Sequence, residues 1–187
     1  MGIFKVQEPI SGSPTPEKPN TSVCKNCQSI IQTNNPCRIC NKPGTQYIDL
    51  NAYFGGHDTD PRYIKELSPK LRENAVELLR RVNRLLETVS NSLPKFIVKV
   101  NSGWRPKEYN TSIGGAANSK HISCLAVDLE DKYMILGNFL SANEKLLEDL
   151  DLAIEMPSYT PGWCHIQLSA PPSGHRVFQP YSGAPKR

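Results

Sequence analysis

A histidine and an aspartate enclose a short apolar segment in NSKHISCLAVDLED, residues 118–131. His121 stands just before ISCLAV, and Asp128 follows it. Imidazole and carboxylate groups are both ligands of Zn²⁺, and a catalytic zinc site needs three protein ligands and one open position for water. The pair is therefore either two ligands of a metal that needs a third, or an ordinary edge histidine and an ordinary surface acid.

The third ligand would come from the remaining histidines, His57, His165 and His175. His165 lies in WCHIQL, where it alternates with apolar residues as in a strand. A rigid strand can hold a ligand to within about 0.5 Å, as a metal requires. His165 alone would be interpreted as a core histidine, but beside the 118–131 stretch we interpret it as the third ligand.

Four of the six cysteines form two CxxC pairs, Cys24 with Cys27 and Cys37 with Cys40. The short connection QSIIQTNNP fits a zinc ribbon or knuckle over residues 23–42, in which each pair chelates through a tight turn. In a reducing compartment cysteines favour metal over disulfides, and the alternative is free dithiols or disulfides in a tail. Four thiolates leave no open position, so this predicted Zn²⁺ is structural.

The other two cysteines, Cys124 and Cys164, each stand close in sequence to a proposed ligand. Thiolates bind zinc well, but neighbouring positions on a strand or turn point away from one another. We therefore predict both to be small buried hydrophobic residues and not ligands.

The clearest element that could position these residues is the helix LSPKLRENAVELLRRVNRLLETVSN. Ser68 is its predicted N-cap, and Pro69 takes the first helical position, where its missing N–H costs nothing. Apolar residues recur at steps of three and four and predict a core-facing stripe. The stripe comprises Leu71, Ala75, Leu78, Leu79, Val82, Leu85, Leu86 and Val89.

Several short strands follow this helix. Alternating apolar residues in KFIVKV predict a half-buried strand, and CLAVDL predicts another with Asp128 near its end. LAIEMP and GWCHIQL predict a strand pair joined by SYTPG, and SANEKLLEDLDL predicts a shorter helix with Ser141 and Glu144 in capping-box spacing. The order predicts an α+β fold, with an antiparallel sheet packed with helices, plus the small N-terminal zinc module.

The chain of 187 residues has room for one main domain and a small module. We predict a flexible tail over 1–22, the four-cysteine module over 23–42 and the main domain over 48–182. No apolar run is long enough to span a membrane, and the N-terminus lacks the apolar region of a secretory signal. The chain is therefore expected to be made in the cytoplasm, and to need another route if it acts outside.

The net charge of +4 is mildly basic. It serves solubility, or it favours attraction to an anionic polymer such as nucleic acid or a bacterial wall. A nucleic-acid-binding zinc protein is the least favoured function, because the chain shows neither a basic helix nor basic residues interleaved with aromatic ones.

Three blocks in one order resemble the zinc D-alanyl-D-alanine peptidase family: SGWRP, then YNTSIGGAANSKHISCLAVDLED, then GWCHIQ. The family signature is S-x-H-x-x-G-x-A-x-D followed by a distant histidine. Ser119, His121, Ala126 and Asp128 match it in place, and Cys124 stands where glycine is usual. The resemblance covers about residues 48–182, is closest to the phage-type branch, and implies the fold shared with the hedgehog signalling domain.

The resemblance implies that His121, Asp128 and His165 bind catalytic Zn²⁺, which lowers the pKa of a bound water and polarises a scissile carbonyl. Arg105 would then bind a substrate oxygen or terminal carboxylate, for which a guanidinium fork is suited. Ser119 would contribute a hydrogen bond nearby.

One position departs from the family. Many members carry a general base three residues before the last histidine, where this chain has Gly162. Glu155 is the predicted substitute, because AIEMP should pair with GWCHIQ and bring this carboxylate toward the metal. His175 is the second candidate, and an ordinary solvated strand-end acid is the alternative for Glu155.

The function expected from this resemblance is a zinc peptidase that cuts peptide bonds of bacterial peptidoglycan and is encoded by a phage. It would reach the wall after holin-type release or as a virion component, with peptidoglycan and other virion proteins as partners. The alternative is a non-catalytic zinc-containing binding or virion structural protein of the same fold, which the missing acid keeps open.

Overall fold

The computed structural model describes residues 21–23, 30–32, 47–93 and 95–180. Strand β1 (Thr21–Val23) pairs antiparallel with β2 (Ile30–Gln32). The cysteines of the predicted zinc module, Cys24, Cys27, Cys37 and Cys40, lie outside the described residues. The structural Zn²⁺ therefore stays a prediction.

A five-stranded sheet carries the main fold. Its strands are β3 (Val100–Ser102), β4 (Ala126–Asp131), β5 (Leu152–Glu155), β6 (Gly162–Leu168) and β7 (Val177–Phe178). They lie in the order β3-β4-β6-β5-β7. The pairs β3–β4, β4–β6 and β5–β6 are antiparallel, whereas β5 and β7 are parallel.

The prediction of an antiparallel sheet was therefore wrong for β7, and the sheet is mixed. Strand β6 runs antiparallel to β5 and ends beside Leu152, where β5 begins. The chain then turns at this same end and enters the free edge of β5 with Arg176, whose carbonyl accepts from the Ile154 N–H at 2.8 Å. Because β7 enters the sheet near the N-terminal end of β5 and continues along it, the two strands are parallel.

Five α-helices accompany the sheet in the described residues: α1 (Leu50–Phe54), α2 (Pro69–Ser92), α3 (Lys107–Ser112), α4 (Ile135–Ala142) and α5 (Glu144–Asp149). Two 3₁₀ turns cover Ile64–Glu66 and Pro157–Tyr159. Helix α2 confirms the predicted helix, and the Ser68 hydroxyl accepts from the Leu71 N–H at 3.3 Å. All members of its predicted apolar stripe are buried except Leu71, which is partly buried.

The capping box predicted around Ser141 was wrong. Ser141 lies inside α4 and donates its hydroxyl to the Gly137 carbonyl at 2.8 Å. The shorter helix for which the box was predicted is α5, which begins after Asn143 without a side-chain capping bond. Helix α4 is capped by the buried Asp131 carboxylate, which accepts from the N–H groups of Ile135 and Gly137 at 2.8 and 2.9 Å. The capping residue thus lies at the end of β4, and it fixes where α4 begins. The sequence at the start of α4 itself contains no capping signal.

The predicted strand KFIVKV is shorter than expected. Phe96, Val98 and Val100 are partly buried while Ile97 is 81% exposed, so the alternation is present. Only Val100–Ser102 has a partner strand, however. Asp128 lies in the middle of β4 and not near its end.

The core lies between α2, the shorter helices and the sheet. Helix α2 contacts β6, α1 contacts α2 and β3, α4 contacts β4 and β6, and α5 contacts β5. Strands β4 and β6 are central in the sheet and buried along most of their length. In the described part of the chain, no helix has the length and apolar character needed to cross a bilayer.

Candidate metal centre

The two central strands place Asp128 beside His165. Their residues are direct partners in the antiparallel β4–β6 ladder, so both side chains leave the same face of the sheet. His165 Nδ1 lies 2.8 Å from Asp128 Oδ1, and both side chains are buried. Central strands are held by hydrogen bonds on both edges, which makes this a rigid platform for two ligands.

His121 reaches the same point from the loop that precedes β4. The Ser119 hydroxyl accepts from its backbone N–H at 3.3 Å, and its carbonyl accepts from the N–H groups of Arg105 and Cys124. The Gly103 carbonyl lies 2.7 Å from His121 Nδ1. Because a carbonyl can only accept, Nδ1 carries the proton and Nε2 presents its lone pair to the other two side chains.

The three potential ligand atoms form a small triangle. His121 Nε2 lies 3.2 Å from Asp128 Oδ1 and 3.3 Å from His165 Nδ1, and the third edge is the 2.8 Å contact between His165 and Asp128. A tetrahedral zinc ion with bonds of 2.0–2.1 Å has ligands about 3.3 Å apart. Two nitrogens and one oxygen at these separations thus fit one face of a zinc tetrahedron.

His121, Asp128 and His165 form the only group of three or more His, Cys, Asp or Glu within metal-binding reach among the described residues. Three protein ligands leave one tetrahedral position open. Catalytic zinc sites have this composition, whereas structural sites are closed by a fourth protein ligand.

Gly103 is required by a close approach of two backbones. A Cβ at this position would lie 1.9 Å from the Tyr53 carbonyl oxygen. The glycine of SGWRP thus allows α1 to pack against β3, and at the same residue the backbone carbonyl orients His121. Carbonyl support of a ligating imidazole is the usual arrangement around protein-bound metals.

Asp128 is ionised in this environment. Burial alone would raise the pKa of its carboxyl, but the contacts with His121 and His165 hold that pKa well below its usual range. Burial lowers the pKa of His121. Burial also opposes the charging of His165, but the Asp128 contact and the negative charge of Glu155 raise its pKa overall.

Arg105 contacts the metal-facing carboxylate directly. Its Nη2 donates to Asp128 Oδ2 at 2.5 Å and its Nε donates to Ser102 Oγ at 2.7 Å. The sequence assigned Arg105 to substrate, and the structure adds a second contact that orients Asp128. The side chain is 18% exposed, and the guanidinium has five N–H groups, so several remain for a ligand.

Glu155 ends β5, the strand beside β6, and is partly buried. Its charge acts on both His165 and Cys164. In the described part of the chain, its carboxylate has no hydrogen bond or ion pair. The structure therefore places Glu155 on the strand next to the metal group with its carboxylate uncommitted.

His175 lies elsewhere. It is exposed, and its neighbour Arg176 binds the Asp151 carboxylate and the Leu152 carbonyl at the start of β5. Glu155 is at the other end of that strand. The structure does not bring His175 to the three ligands.

Gly162 opens β6 with a backbone φ of +99°. This left-handed region strains any residue with a side chain, so the local backbone itself favours glycine at this position. Space is not the reason, since an added Cβ would meet nothing within 4 Å.

Cys124 and Cys164 are free and buried, as predicted. Neither belongs to the group that could hold a metal. Burial raises the pKa of the Cys124 thiol to about 12 and raises that of Cys164 as well. Both thiols are therefore protonated at neutral pH and act as small apolar side chains.

Sequence reasoning missed the residues that support the ligands: the Gly103 carbonyl, Ser102 and Gln167. Gln167 Oε1 lies 3.4 Å from His165 Nε2. A signal for Gln167 was present, because residues two apart on a strand share a face. No signal for the Gly103 carbonyl exists, since every residue has one.

Residues 63–145 match the sequence model of the family described as Peptidase M15. The matched segment contains His121 and Asp128 and ends before His165. A comparison with curated proteins gave no match. The α+β architecture with its mixed sheet is compatible with an M15 peptidase fold, and peptidases of this family are zinc-dependent. The match makes this part of the chain similar to M15 peptidases, and the three-ligand group supplies residues that could hold the zinc such a peptidase needs.

Proposed function

We propose that this chain is a zinc metallopeptidase that hydrolyses peptide bonds of bacterial peptidoglycan and is encoded by a phage. It would act as a D-alanyl-D-alanine carboxypeptidase or as an endopeptidase of stem or cross-link peptides. The observation that carries the proposal is the meeting of His121 Nε2, Asp128 Oδ1 and His165 Nδ1 within 3.3 Å of one another.

These three side chains would hold Zn²⁺, and no fourth protein ligand is supplied by the described residues. When bound, the metal would lower the pKa of a water toward ~7 and polarise a scissile carbonyl. The buried, ionised Asp128 would bring the negative charge that a divalent cation needs, and Arg105 would keep its carboxylate oriented.

Glu155 would handle the proton. Its carboxylate would accept a proton from the attacking water and pass it to the leaving amine, which is the role of a general base and acid. Its place beside β6, its partial burial and its lack of an ion-pair partner among the described residues support this role.

Arg105 and Ser119 would bind substrate. The guanidinium N–H groups that Asp128 and Ser102 leave free can donate to a peptide carbonyl or a terminal carboxylate. The Ser119 oxygen accepts from the His121 N–H, so its own hydroxyl proton is available to a substrate acceptor.

A second candidate function is a non-catalytic zinc-containing binding or virion structural protein of this fold. Gly162, at the position of the usual acid, favours it. Under either function we propose that the chain meets peptidoglycan after holin-type release or as part of a virion, alongside other virion proteins.

The test uses purified peptidoglycan and the full chain. Activity should release free D-alanine for a carboxypeptidase, or convert cross-linked muropeptides to monomers for an endopeptidase, as followed by mass spectrometry. A chelator should abolish it and Zn²⁺ should restore it. Asp128→Asn should be inactive, and Asp60→Asn, which removes the acid of a surface pair with Arg62, should remain active. A parent protein that binds zinc but cuts no bond would leave the binding function in its place.

A further inference from the structure

Gln167 lies on the same face of β6 as His165, two residues further along the strand. It is 4% exposed, an unusual position for an amide side chain unless its polar atoms are paired. Its Nε2 donates to the Ser169 carbonyl at 3.1 Å, and its Oε1 lies 3.4 Å from His165 Nε2.

The direction of these contacts follows from what each atom can do. The Ser169 carbonyl can only accept, so the Gln167 atom that faces it must be the NH₂ group. The atom that faces His165 is then the amide oxygen, which also only accepts. His165 Nε2 must therefore carry a proton, so Nδ1 is the ring nitrogen that can offer a lone pair to a metal held beside Asp128 and His121.

The Ser169 backbone, whose carbonyl binds the Gln167 amide, is itself held in place. Ser169 has a backbone φ of +61°, and its N–H donates to the Asp151 carbonyl at 2.9 Å. Asp151 is held in turn by Arg81 and Arg176, at 3.1 and 2.9 Å. The carbonyl that orients Gln167 is thus fixed by a network at the far end of β5 and β6, away from the ligands.

We propose that Gln167 is a positioning residue that holds His165 in the Nε2–H form and so directs its Nδ1 to the metal. The inference rests on the proposed function for the presence of the metal, whereas the contact between Gln167 Oε1 and His165 Nε2 belongs to the chain itself. Gln167 does for His165 what the Gly103 carbonyl does for His121, and it does so with a side chain that can be replaced.

The test measures two properties of the full chain. Zinc affinity is measured by competition with a chromogenic chelator, and the protonated ring nitrogen of His165 is identified from ¹⁵N chemical shifts in the zinc-bound protein. Gln167→Met keeps the size but removes the acceptor, and we expect it to weaken zinc binding about 10–100-fold and to remove the preference for Nε2–H.

Asn83→Leu is the matched control. Asn83 is a buried amide on α2 that contacts the backbone N–H and carbonyl of Ile48 at 2.8 and 2.9 Å. Its loss should lower stability without changing zinc affinity. A Gln167→Met variant with parental zinc affinity, or with His165 still in the Nε2–H form, would overturn the proposal. A parent protein that binds no zinc would refute the proposed function, whereas zinc binding that does not depend on Gln167 would refute this proposal alone.

Discussion

The Asp128 carboxylate is shared between two kinds of partner: its Oδ2 accepts from Arg105 at 2.5 Å, while its Oδ1 lies within 3.2 Å of both histidine nitrogens. One oxygen is thus held by a fixed cation, and the other is free to bind a metal. A carboxylate with one oxygen fixed cannot rotate without losing a charge-assisted hydrogen bond.

Arg105→Lys should therefore weaken zinc binding, by about tenfold or more, because lysine cannot contact Ser102 and Asp128 with a planar fork. Arg62→Lys, in the exposed pair with Asp60, is the control and should bind zinc normally. Chelator competition measures both. An Arg105→Lys protein with unchanged zinc affinity and only a raised KM would limit Arg105 to substrate binding.

Glu155→Gln should bind zinc normally and lose about 10²–10⁴-fold in kcat, the usual contribution of general acid–base catalysis. The substitution keeps the shape of the side chain and removes its basicity. His175→Ala should stay close to parental activity, because the structure leaves His175 exposed at the other end of β5. The reverse pattern of rates would assign the proton transfer to His175.

The chain should hold two zinc ions in different environments, because the four-cysteine set and the His–Asp–His group share no residue. Replacing Cys24 and Cys27 with serine should remove one equivalent and leave the circular dichroism of the main domain unchanged. Metal analysis of the parent that gives one equivalent or less, with oxidised cysteines, would contradict the second site.

Gly103→Ala should destabilise the protein by about 3 kcal/mol or more, since the new methyl group would overlap the Tyr53 carbonyl in a packed interior. Gly56→Ala is the comparison: its φ is +86° but no atom lies within 4 Å, so only backbone strain of about 1–2 kcal/mol is expected. Urea unfolding measures both. An equal loss of unfolding free energy in the two variants would show that the backbones of α1 and β3 can move apart to accommodate the methyl group.

Acid should destabilise the contact between α2 and the start of β5. Hydrogen bonding to Arg80, and then to Arg81, lowers the pKa of Glu77 to about 2, while Asp151 is lowered by Arg176 and Arg81. Both folded-state values lie below the unfolded ones, near 4. Their stabilisation is therefore complete above about pH 5 and is lost as the pH falls toward about 2.

The melting temperature measured across this range should drop less steeply in Glu77→Gln than in the parent. Glu73→Gln, which removes an exposed partner of Lys70, should keep the parental slope. A Glu77→Gln protein with the parental slope would show that other carboxyl groups cause the acid loss.

How much of this could be predicted from sequence differs by element. Helix α2 was predictable from its stripe and from Ser68 and Pro69, because both signals are local. The β5–β6 pair was predictable for the same reason, as a hairpin-like pair with a short connection. The start of α4 was not, because its cap, Asp131, belongs to the preceding strand. The direction of β7 depends on which edge of β5 has no partner strand, and no local sequence pattern indicates that edge.

The site follows the same division. His121, Asp128 and His165 could be proposed from residue type, strand pattern and family resemblance, and the structure brings them together. The hydrogen bonds of Arg105 to Ser102 and Asp128, and the contact of Gln167 with His165, depend on side-chain directions across the sheet. Such directions are set by register and rotamer, which emerge only when the strands have paired.

The β4–β6 register has a consequence for the order of assembly. His121 and Asp128 are 7 residues apart, but His165 lies 37 residues beyond Asp128 and reaches it only across the completed ladder. A slip of one residue would turn His165 to the opposite face and leave two ligands without a third. Closing a loop of this length costs conformational entropy before the contact is gained. The three-ligand set is therefore complete only when β4 and β6 have paired in the native register, so zinc uptake would report native strand pairing.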